Sequence, residues 1–405
     1  MFPKLHICLP ILNEYENIFN LLSSLKAQSF QNFRLYACVN QPDEWWDDAE
    51  HFNICSNNAK TLDLLKDESD IEVIIIDKST KGSGWKAKKK GVGWARKLLM
   101  DQAAEIGDEK DIIITIDADT FYPSNYLDSL IKIFHNNPHI TAHSNPYYHP
   151  LTANKAEDMA ILRYELYMRS YAIHMLLIEN PYAFSAIGSA MAATVAQYKR
   201  MGGISPKPSG EDFYFIQKMK KAGAISQYNS VKVFPQARFS NRVNFGTGPA
   251  MIKGHAGDWS SYPFYQPTLF KQVQDTFNSF PALFDVDVET PMSCFLRKQL
   301  KRDDIWLPLR RNYKSKNQFV RACEGLVDGL RILQFLKENH LTNTSGDEID
   351  FHENLQYFAS LDMDLYCYLK EIGYSGSALS FDNMKIFRDI LTNIEYKLRK
   401  LRPIT

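Results

Sequence analysis

Two pairs of acids are spaced so that they could do chemistry. Asp117-Ala118-Asp119 follows the apolar run Ile112-Ile113-Ile114-Thr115-Ile116. Side chains one residue apart on a strand point to opposite faces, but at a strand end, where the chain turns, both carboxylates can converge on one cation. Carboxylates together with phosphate oxygens make a hard-oxygen site suited to magnesium or manganese. Glu211-Asp212 comes about ninety positions later, after Ser209-Gly210 and at the start of a helical pattern. Acids favour a first helical turn for electrostatic reasons alone. They are also the residue type needed for a general base that takes a proton from a hydroxyl.

Cationic candidates lie between and after the acids. Lys81-Gly82-Ser83-Gly84-Trp85-Lys86 is followed by Lys88-Lys89-Lys90 and by Gly91-x-Gly93-Trp94-Ala95-Arg96. Glycines let backbone amides approach an anion, and Lys86 and Arg96 could neutralise a pyrophosphate. Gly82-x-Gly84-x-x-Ala87 fits a loose dinucleotide fingerprint, but it follows the third strand and lacks the strand-ending acid about twenty residues on. Arg238-x-Ser240-x-Arg242 puts two arginines on one face of an extended segment, for phosphates or for structural ion pairs. Gly246, Gly248 and then His255 follow. A lone histidine is usually not a ligand, so His255 matters only if the fold brings it to Asp119.

These residues need elements to hold them. Leu5–Leu9, stopping at Pro10, reads as a strand, as do 33–39, 72–76 and 112–116. Helical patterns cover 17–28, 91–104 and 124–134, the last begun by Ser124 as a cap. Alternating helices and continuously apolar strands predict an α/β fold with a mostly parallel sheet sandwiched by helices. In such sheets ligands bind beyond the carboxyl ends of the strands. That singles out Pro10, Ile11, Asn13 and Glu14, then Asn40, then Asp77, then Asp117, Ala118 and Asp119. Further along, 153–178 reads as a long helix, 188–194 as a strand, and Glu211–Ala222 as a helix ended by Gly223. After about residue 270 the character becomes helical, with amphipathic patterns at 318–338, 353–371 and 382–401 and a polar loop at 339–348. The division expected is 1–265 for the α/β domain and 266–405 for a mainly helical region.

Bulk properties exclude some classes. Lys plus Arg and Asp plus Glu number 47 each among 405 residues, so no global field points to nucleic acid. The six cysteines form no Cys-x-x-Cys pair and read as reduced thiols of a cytoplasmic protein. Met1-Phe2-Pro3-Lys4 enters a strand without a leader pattern. No window is apolar enough for a membrane span, so contact with a membrane-bound substrate would be peripheral, at the inner membrane surface.

Taken in order, Pro10-x-x-Asn13-Glu14, Asp117-Ala118-Asp119, Gly202-Gly203, Gly210-Glu211-Asp212 and the Arg238/Arg242 and Gly246/Gly248 stretch resemble the large inverting glycosyltransferase family with the GT-A fold, family 2. The resemblance covers roughly residues 4–250. It implies a nucleoside-diphosphate sugar donor and a manganese or magnesium ion. Asp119 would bind the metal, Asp117 the ribose or the metal's waters, and His255 would be a third ligand. Residues 10–14 would border the nucleotide. Asp212 would be the base and Glu211 would steer the acceptor, a glycan, a lipid-linked sugar or a small molecule. Asn40 stands where the family often has an aspartate that reads the base, which leaves the base open. Tyr147, Tyr148, Tyr164, Tyr167 and Tyr171 are either packing residues or a sugar-stacking acceptor wall. The helical region would cover the acceptor cleft, meet a membrane or pair two copies in a homodimer. Two alternatives compete: a sugar-phosphate nucleotidyltransferase, and a non-catalytic scaffold on the same fold.

Overall fold

The computed structural model describes residues 2–86, 90–207, 209–241 and 246–405. Ala87, Lys88, Lys89 and Arg242, noted above for possible contacts to phosphate, lie outside the described residues. The chain divides into two compact units. One comprises everything up to Ile161, Ser185–Gly257 and Arg402–Thr405. The other comprises Leu162–Phe184 and Asp258–Leu401.

The first unit is α/β, built on strands β1 (Leu5–Ile11), β2 (Phe33–Asn40), β3 (Val73–Lys78), β4 (Ile112–Thr115), β5 (Thr120–Phe121), β6 (Ile140–Ser144), β7 (Met191–Thr194), β8 (Ala224–Ser226) and β9 (Phe234–Pro235). The main sheet runs β3-β2-β1-β4-β7-β6-β8. Only β7 runs against its neighbours, pairing antiparallel with β4 and β6. β1, β2 and β4 are buried along almost their whole length, as strands covered on both faces must be. The last residues of the chain return to this sheet, with Thr405 and Ile225 exchanging backbone hydrogen bonds.

β1 does not stop at Pro10. The Cys8 carbonyl accepts from Ile116 N–H at 3.1 Å. Polar groups alternate sides along a strand, so Pro10 also faces β4's side, beyond the last β4 residue paired with β1. Its missing N–H therefore breaks no ladder bond.

The helices of this unit are α1 (Tyr15–Lys26), α2 (Phe52–Lys66), α3 (Val92–Ile106), α4 (Tyr126–Asn136), the start of α5 (Lys155–Leu177), α6 (Val195–Arg200), α7 (Glu211–Ala222) and α8 (Thr247–His255). Ser124 does not cap α4; Asn125 precedes the helix, with no side-chain cap bond. α7 has the bounds its sequence predicts. Gly210 at its start adopts φ +73°, a left-handed conformation costly for other residues.

The second unit is helical: the rest of α5, then α9 (Pro267–Ser279), α10 (Ser293–Leu300), α11 (Leu307–Asn312), α12 (Lys316–Leu326), α13 (Gly329–Asn343), α14 (Asp347–Ala359), α15 (Met363–Ile372) and α16 (Phe381–Leu401). Two patterns that read as single helices are broken. Asp328 accepts from Arg331 N–H at 3.2 Å and starts α13, and Asp362 accepts from Leu365 N–H at 3.2 Å and starts α15. An aspartate inside a periodic pattern restarts the helix by capping it.

This unit's interior carries buried charge: Arg169 bonds Glu395 at 2.7 Å and Glu165 at 3.1 Å, and Arg399 bonds Glu395 at 2.8 Å. Tyr164, Tyr167, Tyr262 and Tyr265 pack ring on ring, with centroids 5.1–6.3 Å apart, so Tyr164 and Tyr167 serve packing. Tyr171 packs edge-on to Phe270. Among the described residues no helix is long and apolar enough to cross a membrane.

Candidate active site

The two acidic pairs meet at one arginine. Arg96 lies on the same face of α3 as the buried Leu99, Met100 and Ala103, so its side chain is carried into the interior, where it is only 2% exposed. A buried guanidinium needs carboxylate partners. Arg96 Nη2 donates to Asp117 Oδ1 at 2.8 Å and Nη1 donates to Glu211 Oε1. Asp212 also lies within its field. Arg96 thus joins the end of β4 to the first turn of α7. The guanidinium rests on Gly188, where an added Cβ would lie 2.8 Å from Nη2 and 3.0 Å from Nη1.

Asp212 keeps part of its residue surface open. Burial of its carboxyl, and then the charge of Glu211, raise its pKa to about 7, against the opposing pull of Arg96 and of the Phe213 N–H it accepts at 2.8 Å. A carboxyl poised there can take and release a proton near neutrality.

A second arginine organises the other half. β5 begins directly after Asp119 and pairs antiparallel with β9, and Gln236 N–H bonds the Asp119 carbonyl at 2.9 Å. That ribbon brings Arg238 beside Asp119: its Nη2 donates to Asp119 Oδ2 at 2.6 Å and also to Glu14. Of the two uses open to Arg238, the ion pair is the one present. Its Nε is buried and meets no acceptor among the described residues.

The strand-end residues have varied fates. Pro10, Ile11 and Ala118 are buried. Asn13 takes a left-handed φ of +58°, and its N–H is held by the buried Asn58 at 2.8 Å. Asn40 donates to the Ile11 carbonyl at 2.8 Å and accepts from Trp85 Nε1 at 3.0 Å, so both ends of its amide brace the loops. Asp77 accepts from Ser79 and Thr80 N–H, each at 2.9 Å. Burial works against its charge, but those bonds prevail and its pKa is lowered. Asp77 therefore closes a turn.

The glycine loop does cradle an anion, but the anion is the protein's own. Asp43 Oδ1 accepts from Gly82 N–H at 2.7 Å and Gly84 N–H at 3.2 Å. Lys86 is exposed. Glu211, expected to steer an acceptor, has Oε1 bound to Arg96. Arg96, expected at a pyrophosphate, has its two Nη atoms on acids.

His255 is exposed at the end of α8, with its ring 5.2 Å from Phe239. Among the described residues no three His, Cys, Asp or Glu side chains gather to hold a metal. The expected set of Asp117, Asp119 and His255 is therefore not assembled. The residues present still fit a hard cation completed by substrate phosphates. Among the described residues, Glu14, Asp117, Asp119, Glu211 and Asp212 bring their carboxylates around Arg96 and Arg238. Magnesium-type sites often use one or two carboxylates plus phosphate oxygens.

Sequence reasoning missed Tyr122, Asn58 and Gly188. Tyr122 is fully buried, accepts from Asp117 N–H at 3.1 Å and donates to the Ser189 carbonyl at 2.9 Å, fixing the turn at Asp117. The signal for such braces is polarity where the pattern is otherwise apolar.

No family model matches this chain, and no curated protein does. Similar solved structures include S. aureus TarS 1-349 in complex with UDP-GlcNAc. That match has TM-score 0.40 and 11% identity, covering 85% of this chain and 93% of that one. Another is the mannosyltransferase PcManGT from Pyrobaculum calidifontis in complex with GDP-Man and Mn2+. It has TM-score 0.37 and 12% identity, covering 98% of this chain and 88% of that one. At such scores the likeness carries no chemistry, which rests on the side chains.

Proposed function

We propose that the α/β unit transfers a sugar from a nucleoside-diphosphate donor to an acceptor hydroxyl, inverting the anomeric carbon. The observation that carries this reading is the gathering of Asp117, Glu211 and Asp212 around Arg96. It sets a carboxyl with a pKa of about 7 beside the acids of the β4 end. Asp212 takes the proton as the acceptor oxygen attacks the anomeric carbon. The new carbon–oxygen bond forms as the bond to the diphosphate breaks, and the nucleoside diphosphate leaves with that electron pair. Glu211 holds Arg96, and Arg96 keeps Asp212 from rising further and remaining protonated. Residues 10–14, pinned through Asn58, border the nucleotide. Manganese or magnesium, held by Asp119 with Asp117, would supply charge compensation to the departing diphosphate.

The test is a panel of UDP- and GDP-sugars with manganese, reading nucleoside-diphosphate release with and without simple sugar acceptors. Release from at least one donor supports the reading. Pyrophosphate release from a nucleoside triphosphate and a sugar phosphate would instead indicate a nucleotidyltransferase, and no turnover or binding of any nucleotide would indicate a scaffold.

A further inference from the structure

The helical unit spreads its positive charge unevenly. Residues 305–323 hold five cations, Arg310, Arg311, Lys314, Lys316 and Arg321, and no acid, in a chain whose cations and acids are equal in number. Two of the five are used by the unit itself. Arg310 donates to Asp287 at 2.7 Å and to the Leu283 carbonyl at 2.8 Å, and Lys316 donates to Asp285 at 3.0 Å. Phe284 packs edge-on to Phe319 of α12, so the segment that follows the turn Ala282–Phe284 lies along α11 and α12. With Asp285 and Asp287 held by cations, Val286 and Val288 beside them are left 57% and 40% exposed. Tyr313, between the two helices, is 38% exposed, and α11 buries none of its residues fully. Arg311, Lys314 and Arg321 are exposed and form no ion pair among the described residues. Arg321 lies on the side of α12 away from the buried Phe319 and Cys323.

We propose that these adjoining segments, with Val286, Val288 and Tyr313 among Arg311, Lys314 and Arg321, dock the helical unit on an anionic lipid surface. Exposed aliphatic side chains gain by entering the boundary between headgroups and acyl chains, and a tyrosine ring suits the same depth. The cations meet lipid phosphates. A nucleic-acid backbone or an acidic peptide would take the cations but give the valines nothing apolar to enter. Three free cations are too few to anchor a protein by charge alone, so the contact is reversible and needs both contributions. No residue of the α/β unit takes part, so the contact is independent of the nucleotide-sugar reading.

The experiment is flotation of the full chain with vesicles of phosphatidylcholine mixed with phosphatidylglycerol, and with vesicles of phosphatidylcholine alone, at low and at high salt. Wild type is compared with a cation variant (Arg311→Gln, Lys314→Gln, Arg321→Gln) and a valine variant (Val286→Ser, Val288→Ser). A control (Lys66→Gln, Lys110→Gln, Lys132→Gln) removes the same charge from exposed positions of the α/β unit. Circular dichroism confirms that each protein is folded. Wild type should float with the mixed vesicles, lose that binding as salt rises and ignore phosphatidylcholine alone. Each cation near an anionic surface is worth roughly fivefold, so the cation variant should bind about 100-fold more weakly. The valine variant should bind at least about threefold more weakly with its salt dependence kept, and the control should match wild type. Absence of wild-type binding, or equal affinity in the cation variant, overturns the proposal. An equal loss in the control overturns it too, because overall charge rather than this face would then be at work. A valine variant identical to wild type overturns the lipid assignment. Binding of wild type to polyglutamate or single-stranded RNA without binding to vesicles also overturns it, in favour of an acidic protein or a nucleic acid.

Discussion

Arg96→Met tests the organisation of the site without reference to any substrate. The substitution keeps most of the side-chain bulk but removes the buried charge that meets Glu211 and Asp117. Breaking a buried ion pair by deleting one partner costs about 3–5 kcal/mol, because the other charge stays buried alone. The Glu211 half dominates, since Glu211 is buried while the Asp117 side chain is 36% exposed and partly screened by water.

The loss should also depend on pH in a definite direction. Without Arg96, the Asp212 carboxyl loses the cation that opposes the effects of burial and of Glu211, and its folded-state pKa rises further. A folded state that binds more protons than the unfolded one loses stability as pH rises through that window. Urea unfolding followed by circular dichroism should therefore show a loss of about 3–5 kcal/mol at pH 8. At pH 5 the loss should be about 1–2 kcal/mol smaller, since one pKa unit corresponds to about 1.4 kcal/mol. A loss below about 1 kcal/mol at pH 8, or one identical at both pH values, would refute the claim that Arg96 is what holds these acids together.

Two further outcomes follow from neighbouring geometry. Gly188→Ala places a methyl group about 3 Å from the Arg96 guanidinium, which two ion pairs hold in place. Overpacking of this kind costs about 1–3 kcal/mol, and an unchanged melting temperature would show that Arg96 moves freely. In the helical unit, His174 is stacked on Phe270 at 4.3 Å and bonded to Asn354, and burial lowers its pKa from 6.5 to about 4. Its neutral form stabilises the fold fully above pH 6.5, and that contribution is lost as pH falls toward 4, by up to about 3 kcal/mol. His174→Gln should flatten the acid limb of the stability profile by that amount, and an acid limb parallel to wild type would contradict it.

How much of this was legible in the sequence depends on the length over which each signal is written. Long periodic segments such as α7 and α16 declare themselves, and the apolar runs of β1, β2 and β4 place the acids that follow them. The ribbon of β5 and β9 has two residues per strand, too short for any alternation, yet it decides that Arg238 meets Asp119. Arg96 stood out in sequence, but its partners lie 21 and 115 positions away, and only the fold selects acids over phosphate for it. The glycines around residue 83 promised an anion site; nothing local shows that Asp43 fills it. His255 ends α8 with its ring beside Phe239, a contact that a lone histidine in the sequence does not announce.

The central claim is that Asp212 is the base of a glycosyl transfer, and the most direct measurement is the rate of nucleoside-diphosphate release against pH for wild type and Asp212→Asn. The wild-type rate should rise with pH through about 7, where the buried carboxyl loses its proton. Asp212→Asn should retain donor binding, lose on the order of 10²–10⁴-fold in rate and show no inflection near neutrality. Superimposable profiles for the two proteins would contradict the account.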